Sequence, residues 1–258
     1  MSSSITIKNV GKTFESITGP IVALVNVNLD VNPGEFMCLE GPSGCGKSTM
    51  LFISAGLVSP SSGEVRIGNN IVLEPSPDRT VVFQSDSVFP WMTVAQNIGY
   101  GLKFMDVKLE EQKTIVNQLI NKIGLQSFRD SYPKELSGGM KKRVDLARAY
   151  ATNPSVLLMD EPFGALDAIT KEKMQVDLMK LTVANFEKQK TVLFVTHDLE
   201  EAIFLADRVA IMTPRPGTIQ SILKIPFPHP RDAKIRLSSE FQEIRRHIRE
   251  LLETNQEF

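Results

Sequence analysis

The strongest constraint on this chain is the string Gly41-Pro42-Ser43-Gly44-Cys45-Gly46-Lys47-Ser48-Thr49. Its first eight residues fit G-x-x-x-x-G-K-[ST], between a short apolar run, FMCLEG (36–41), and a helical stretch, 47–57. Glycines let successive backbone N–H groups curl around phosphate oxygens, and the helix N-terminus beyond them adds partial positive charge. Lys47 brings a point charge to β- and γ-phosphates, and the Ser48 hydroxyl is a hard-oxygen ligand for Mg2+. The alternative, a glycine turn with an exposed lysine, is disfavoured by the strand–loop–helix context. A decoy at Gly11-Lys12-Thr13 fails, because Thr6 stands where the pattern requires glycine.

The rest of the chain alternates strand and helix signals. Strands are predicted at 5–10 and 21–31, within 64–73, and at 79–84, 155–162, 191–198 and 208–213. Helices are predicted at 94–104, 109–123, 138–151 and 168–187. Another opens at Asp198-Leu199-Glu200-Glu201, which has capping-box spacing, and runs through Ala206. Turn clusters fall at Asn32-Pro33-Gly34, at 59–63 and at Pro214-Arg215-Pro216-Gly217. The layout is an α/β core interrupted by a helical insertion. In the tail, 237–252, Leu237, Phe241, Ile244, Ile248 and Leu251 line one helical face, with Arg245, Arg246, Arg249 and Glu250 on the other side. That face is expected to pack on its own domain, a dimer contact being the alternative.

Composition narrows the partners. Lys+Arg is 29 against Asp+Glu 30 over 258 residues, so no concentrated basic surface points to nucleic acid. No apolar run approaches the ~18–20 residues that span a bilayer. The opening MSSSITIKNV has neither a basic nor an apolar signal region, so no secretory signal is expected. Two cysteines, Cys38 and Cys45, make no disulfide framework and fit a reducing cytosol.

SVLLMDE (155–161) brings Asp160 and Glu161 to the C-terminal edge of a buried strand, where α/β sheets bind ligands. Asp160 suits an Mg2+ site acting through water, and Glu161 can polarise an attacking water. A guanine-reading N-K-x-D is missing, since Asn121-Lys122-Ile123-Gly124 lacks the aspartate. Ser137-Gly138-Gly139, opening a helix, is a second anion site: a small hydroxyl, two bare backbones and a helix N-terminus converge. Two phosphate-reading helix starts in one chain make sense if two subunits share their nucleotides.

In order, the phosphate loop at 41–48, Gln84, LSGGM (136–140), LLMDE (157–161), Ala165-Leu166-Asp167 and His197 resemble the ATP-binding subunits of ABC transporters, over nearly the whole chain. The resemblance implies an α/β fold with a P-loop NTPase (RecA-like) core, an antiparallel β portion and an inserted α-helical subdomain. The core would be 1–84 and 152–215, the helical subdomain 85–151, and a C-terminal extension 216–258. ATP and Mg2+ are implied. Gly41, Pro42, Ser43, Gly44, Cys45, Gly46, Lys47, Ser48 and Thr49 would surround the phosphates. Phe14 would lie over adenine, unless it is an ordinary core residue. Ser48, Gln84 and, through water, Asp160 would hold Mg2+. Gln84 would also start the loop that meets the membrane partner. Glu161 would be the catalytic carboxylate, assisted by Lys47, and His197 would contact the γ-phosphate. Ser137, Gly138 and Gly139 would read the γ-phosphate bound to the opposite subunit, and Asp167 would lie in a loop crossing the dimer interface. Lys141-Lys142 depart from the Arg-Gln that follows this signature in many relatives.

The implied partners are a second copy of the chain, an integral membrane permease and, indirectly, a solute-binding protein, at the cytoplasmic face of the membrane. No nucleic acid is implied. FPWMTV (89–94), PRPG (214–217) and PFPHPRD (226–232) are similar to the importer subgroup for nitrate, taurine and alkanesulfonates. An exporter cassette is the nearer alternative. A non-transport cassette would need a long coiled-coil insertion or a second cassette. From the length, the large C-terminal regulatory domain of sugar-importer ATPases is not expected. Trp91, the sole tryptophan, is expected to be partly exposed. Cys45, beside Lys47 and a helix start, is expected to be an accessible thiol of lowered pKa, with Cys38 buried, the alternative being a Cys45 sulfur turned back under the loop.

Overall fold

The computed structural model describes residues 2–85, 87–183 and 189–254. Strands β1 (Ile5–Phe14), β2 (Ile21–Val31) and β3 (Phe36–Glu40) lead into α1 (Lys47–Ala55), and β4 (Ser62–Ile67), β5 (Asn70–Ile71) and β6 (Arg79–Val82) follow. Next come α2 (Val94–Ile98), α3 (Leu109–Lys122) and α4 (Gly138–Ala151). The chain then runs through β7 (Val156–Asp160), α5 (Ala168–Val183), β8 (Thr191–Val195), α6 (Leu199–Leu205), β9 (Arg208–Met212), β10 (Ile219–Lys224) and α7 (Ser239–Glu253).

Two sheets result. One is antiparallel, in the order β2-β1-β4-β5, and the other runs β10-β9-β3-β8-β7-β6, parallel except for β10. Strands β3, β7 and β8 are buried along their whole length, which is why they read as unbroken apolar runs. Their side chains alternate between two cores. Met37, Leu39, Leu158, Leu193 and Val195 face α1 and the antiparallel sheet. Cys38, Leu157, Met159, Val192 and Phe194 face α5, α6 and α7. A third cluster, including Ile98, Val116, Ile120 and Val144, joins α2, α3 and α4.

Several boundaries differ from the sequence reading for local reasons. The stretch 94–104 splits, α2 ending at Ile98 before Gly99 and a 3-10 turn at Gly101–Phe104, because glycine is a poor helix interior residue. Helix α1 stops at Ala55, where Gly56 (φ 79°) closes it in the left-handed conformation with its N–H on the Phe52 and Ile53 carbonyls. The predicted end of the 168–187 helix, 184–187, lies outside the described residues. Strand β10 carries no clear sequence signal; it is a half-exposed edge strand with too few apolar positions to announce itself. Asp198 caps α6 by accepting from the Glu200 and Glu201 N–H groups, but Glu201 turns inward to Thr196 and Gln175 rather than completing a capping box.

The tail helix α7 packs on its own domain through Phe241 and Ile248, with Ile244 and Leu251 beside them. Leu237 is a correction: it ends a 3-10 turn ahead of the helix and is exposed. Among the described residues, no helix is long and apolar enough to cross a membrane.

Candidate active site

Strand β3 delivers the glycine-rich loop to the C-terminal edge of the parallel sheet, and α1 leaves from it. Gly46 (φ 104°) is required twice over: its backbone is left-handed, and a Cβ there would fall 2.5 Å from the Leu24 side chain. No side chain caps α1, so its first N–H groups stay available to an anion. Lys47 is buried and curls back, its Nζ donating to the carbonyls of Gly41 (2.6 Å) and Pro42 (3.1 Å). Ser48 Oγ donates to Asp160 Oδ1 at 2.8 Å, across from the end of β7. Burial pushes the Asp160 carboxyl above its usual range, against the downward pull of that bond.

Cys45 corrects the sequence expectation. It is 1% exposed, packed beneath the loop against Gly41, and its thiol is raised rather than lowered. Burial dominates, outweighing Lys47, whose Nζ lies 3.9 Å from the sulfur. Cys38 is buried in β3, as expected, and its thiol is also raised by burial.

Three neighbouring strands, β6, β7 and β8, each release one polar side chain just past their C-terminal ends. Gln84 Nε2 donates to Glu161 Oε2 (3.4 Å), and His197 Nδ1 lies 2.9 Å from that same oxygen. Glu161 takes a left-handed backbone (φ 42°), which is costly for a side chain with a Cβ. Its N–H bonds the Val195 carbonyl (3.0 Å), and Phe163, fully buried against Phe194, anchors the turn beyond. His197 is placed by the cap of α6, where Asp198 also meets Lys171 at 2.8 Å. Against the upward push of burial, Lys171 holds the Asp198 carboxyl low.

Of these groups Glu161 borders a cleft of about 320 Å³, lined also by Phe14, Ser43, Gly44, Lys47 and Arg215 among others. Phe14 is 39% exposed on its wall, with Lys12 Nζ 4.9 Å from the ring centre. A larger cavity, about 650 Å³, lies between α7 and the His197 turn, but the phosphate loop does not line it. The hydroxyl, amide and carboxylate oxygens of Ser48, Gln84 and Asp160 are the hard donors that Mg2+ takes, and two of them already adjoin.

Ser137 caps α4, accepting from the Met140 N–H at 3.3 Å, and with Gly138 it faces solvent. Ser137, Gly138 and Gly139 are not among the residues lining the 320 Å³ cleft. Asp167 is likewise exposed and accepts from the Thr170 N–H at the start of α5; the Thr170 hydroxyl first, and then its N–H, hold the Asp167 carboxyl low. Two contributors have no signal in the sequence. The first is the grip of α4 on the segment after Gln84. Lys142, one turn into α4, is buried and donates to the Phe83 carbonyl (2.7 Å) and the Gln84 carbonyl (3.4 Å). Asp145, a turn further on, accepts from Ser87, so α4 holds this segment at two levels. The second contributor is Arg215, on the cleft wall. Its turn carries a family-like motif but nothing that tells where it docks.

A family model described as ABC transporter matches residues 24–164. The nitrate import ATP-binding protein NrtD of Synechococcus elongatus is 48% identical, covering 86% of this chain and 81% of its own. The bicarbonate transport ATP-binding protein CmpD of Synechocystis sp. is 47% identical over 88% of this chain and 81% of its own. The ATP-binding cassette MJ0796, solved as a dimer in a post-hydrolysis state with ADP and Pi, superposes with a TM-score of 0.73 at 33% identity, covering 87% of this chain and all of that one. By its motifs, its fold and these matches, the chain belongs to the ATP-hydrolysing ATP-binding subunits of ABC transporters.

Proposed function

We propose that the chain energises an importer for a small solute, an anion of the nitrate, taurine or alkanesulfonate kind, as a homodimer docked on a membrane permease at the cytoplasmic face. The observation that carries the shared-site part is a separation. The phosphate loop and Glu161 border one cleft, with Gln84 and His197 meeting the Glu161 carboxylate, while the phosphate-reading start of α4 stands exposed and is not among the residues lining that cleft. A head-to-tail pair supplies each cleft with the partner's Ser137–Gly139. The dimeric state of MJ0796 supports that arrangement, the names of NrtD and CmpD support a small anion as the solute, and that of NrtD supports import.

In this reading phosphate oxygens replace the Gly41 and Pro42 carbonyls as acceptors for Lys47. Glu161 orients the attacking water, Gln84 and His197 hold its carboxylate in place, and the α4 dipole of the partner stabilises charge on the γ-phosphate. Mg2+ held at Ser48, Gln84 and Asp160 would neutralise charge on the phosphate oxygens. Loss of the γ-phosphate removes the contacts joining the two halves. Lys142 and Asp145 tie α4 to the segment after Gln84, so opening of the pair moves the surface that meets the permease.

The test is co-expression with a candidate permease from the same genome. Co-purification, and ATP hydrolysis stimulated by the solute-loaded binding protein in liposomes, are expected. Stimulation by solute from the cytoplasmic side alone would overturn import in favour of export.

A further inference from the structure

The Pro214–Gly217 turn between β9 and β10 brings a cation to the nucleotide cleft. Gly217 fastens it to β2: its N–H donates to the Ala23 carbonyl (2.9 Å), and its carbonyl accepts from the Val25 N–H (3.0 Å). A Cβ at position 217 would stand 1.9 Å from the Cys45 carbonyl oxygen, so only glycine lets the turn approach the phosphate loop this closely. Thr213 and Thr218 close the turn, with Thr213 N–H on the Thr218 carbonyl (3.0 Å) and Thr218 N–H on Thr213 Oγ1 (3.1 Å). Pro214 and Pro216 flank Arg215 and restrict its backbone. The turn that carries Arg215 is thus held against β2, and Arg215 lines the cleft together with Ile21 and Ala23 of β2.

Its guanidinium differs from the other cation there. Lys47 already donates to two loop carbonyls, whereas no hydrogen bond or ion pair with a described residue engages Arg215. An unpaired guanidinium carried to a phosphate-binding cleft by an anchored turn is a site for an anionic oxygen. The loop and Lys47 serve the terminal phosphates, and Glu161 marks the hydrolytic side. The β2 flank lies between the loop and the Phe14 wall, where the base is expected.

We propose that Arg215 is a nucleotide-binding residue that engages the α-phosphate of ATP and ADP. This rests on the reading of the cleft as the nucleotide site. The experiment is calorimetric titration of the purified chain with ATP and with ADP in EDTA, which prevents hydrolysis. Arg215→Ala and Arg215→Gln should each weaken both nucleotides by about five- to twenty-fold, as loss of one charge-assisted contact at a solvent-accessible site does. The two nucleotides should suffer equally, because both carry the α-phosphate. Unchanged affinities, or a loss confined to ATP, would overturn the proposal. A Lys47→Ala chain separates the two levels. If it loses affinity while the Arg215 variants do not, the role of Arg215 alone falls. If Lys47→Ala also binds normally, the cleft reading falls and the proposal with it.

Discussion

His197 Nδ1 and Glu161 Oε2 lie 2.9 Å apart although 36 residues separate them in the chain. The sheet makes the pair. Strands β7 and β8 run parallel with Asp160 opposite Val195, so the residues just beyond each end emerge side by side. The Glu161 side chain is 19% exposed and that of His197 62%, so the carboxylate is sheltered while the imidazole remains open to a ligand.

Replacing Glu161 with glutamine keeps the shape and removes the charge proposed to orient water. Glu161→Gln should lower steady-state hydrolysis by about 10²–10⁴-fold while ATP still binds, and the chain should elute as a dimer when MgATP is present. Phosphate-release assays and size-exclusion chromatography check this. Turnover within a few-fold of the parent would remove Glu161 from the reaction.

A shared site predicts rescue between two dead chains. Lys47→Ala disables one half of a composite site, and Ser137→Arg disables the other. A mixture should recover hydrolysis because one site per heterodimer keeps both intact halves. Ser137 also caps α4, so Ser137→Arg should cost about 1 kcal/mol of stability, which a thermal melt reads separately. Absence of rescue, with activity independent of protein concentration, would contradict the dimer.

Legibility in the sequence follows the range of the interaction concerned. The phosphate loop, Asp160 and Glu161 are readable because each sits on a contiguous strand-to-loop boundary whose residue types carry the chemistry. His197 and Gln84 need the family resemblance, since their convergence on one carboxylate depends on strand order. Cys45 misleads because its neighbours in sequence argue for a reactive thiol, while the curl of the loop turns its sulfur toward Gly41. The docking of the 214–217 turn on β2, and the grip of Lys142 on the Gln84 carbonyl, are long-range contacts that no local pattern encodes.

Trp91 gives an intrinsic reporter for the proposed permease contact. Trp91 is 68% exposed, and its ring leans on Phe89 with centroids 5.5 Å apart. Emission from the free subunit should be that of a wet indole, quenched by acrylamide. Docking on the permease should shift it to the blue and protect it from quenching. An unchanged spectrum in the assembled transporter would place the contact elsewhere.

Both cysteines should resist modification in the native chain. Cys38 is 0% exposed and Cys45 1%, and burial raises both thiols, so accessibility and thiolate fraction fall together. A brief maleimide pulse at neutral pH should label neither, and full labelling should appear only in denaturant. Mass spectrometry resolves the two sites. Rapid labelling of Cys45 in the folded chain would show that the loop turns its sulfur outward.

Glu40 predicts a pH dependence of stability with a definite sign. It ends β3 just before the phosphate loop, is 2% exposed, and its Oε2 has no hydrogen-bond partner among the described residues. Burial pushes its carboxyl from 4.5 up to about 8, with Lys47 and the Gly41 N–H pulling downward and Asp198 and Glu201 adding to the rise. Between those two values the unfolded chain gives up this proton and the folded chain keeps it. Folding therefore weakens as pH rises through that window, by about 1.4 kcal/mol for every tenfold fall in proton concentration. The contribution is complete below the unfolded value and gone above the folded one. Glu40→Gln substitutes an uncharged group of the same shape and should remove the effect. Thermal melts of the two proteins should therefore nearly coincide at about pH 5 and diverge up to about pH 8, the glutamine chain melting higher, with no further divergence beyond. The other titrating groups are common to both chains and largely cancel in the difference. Melting curves that stay parallel over this range would mean that Glu40 ionises freely in the folded protein.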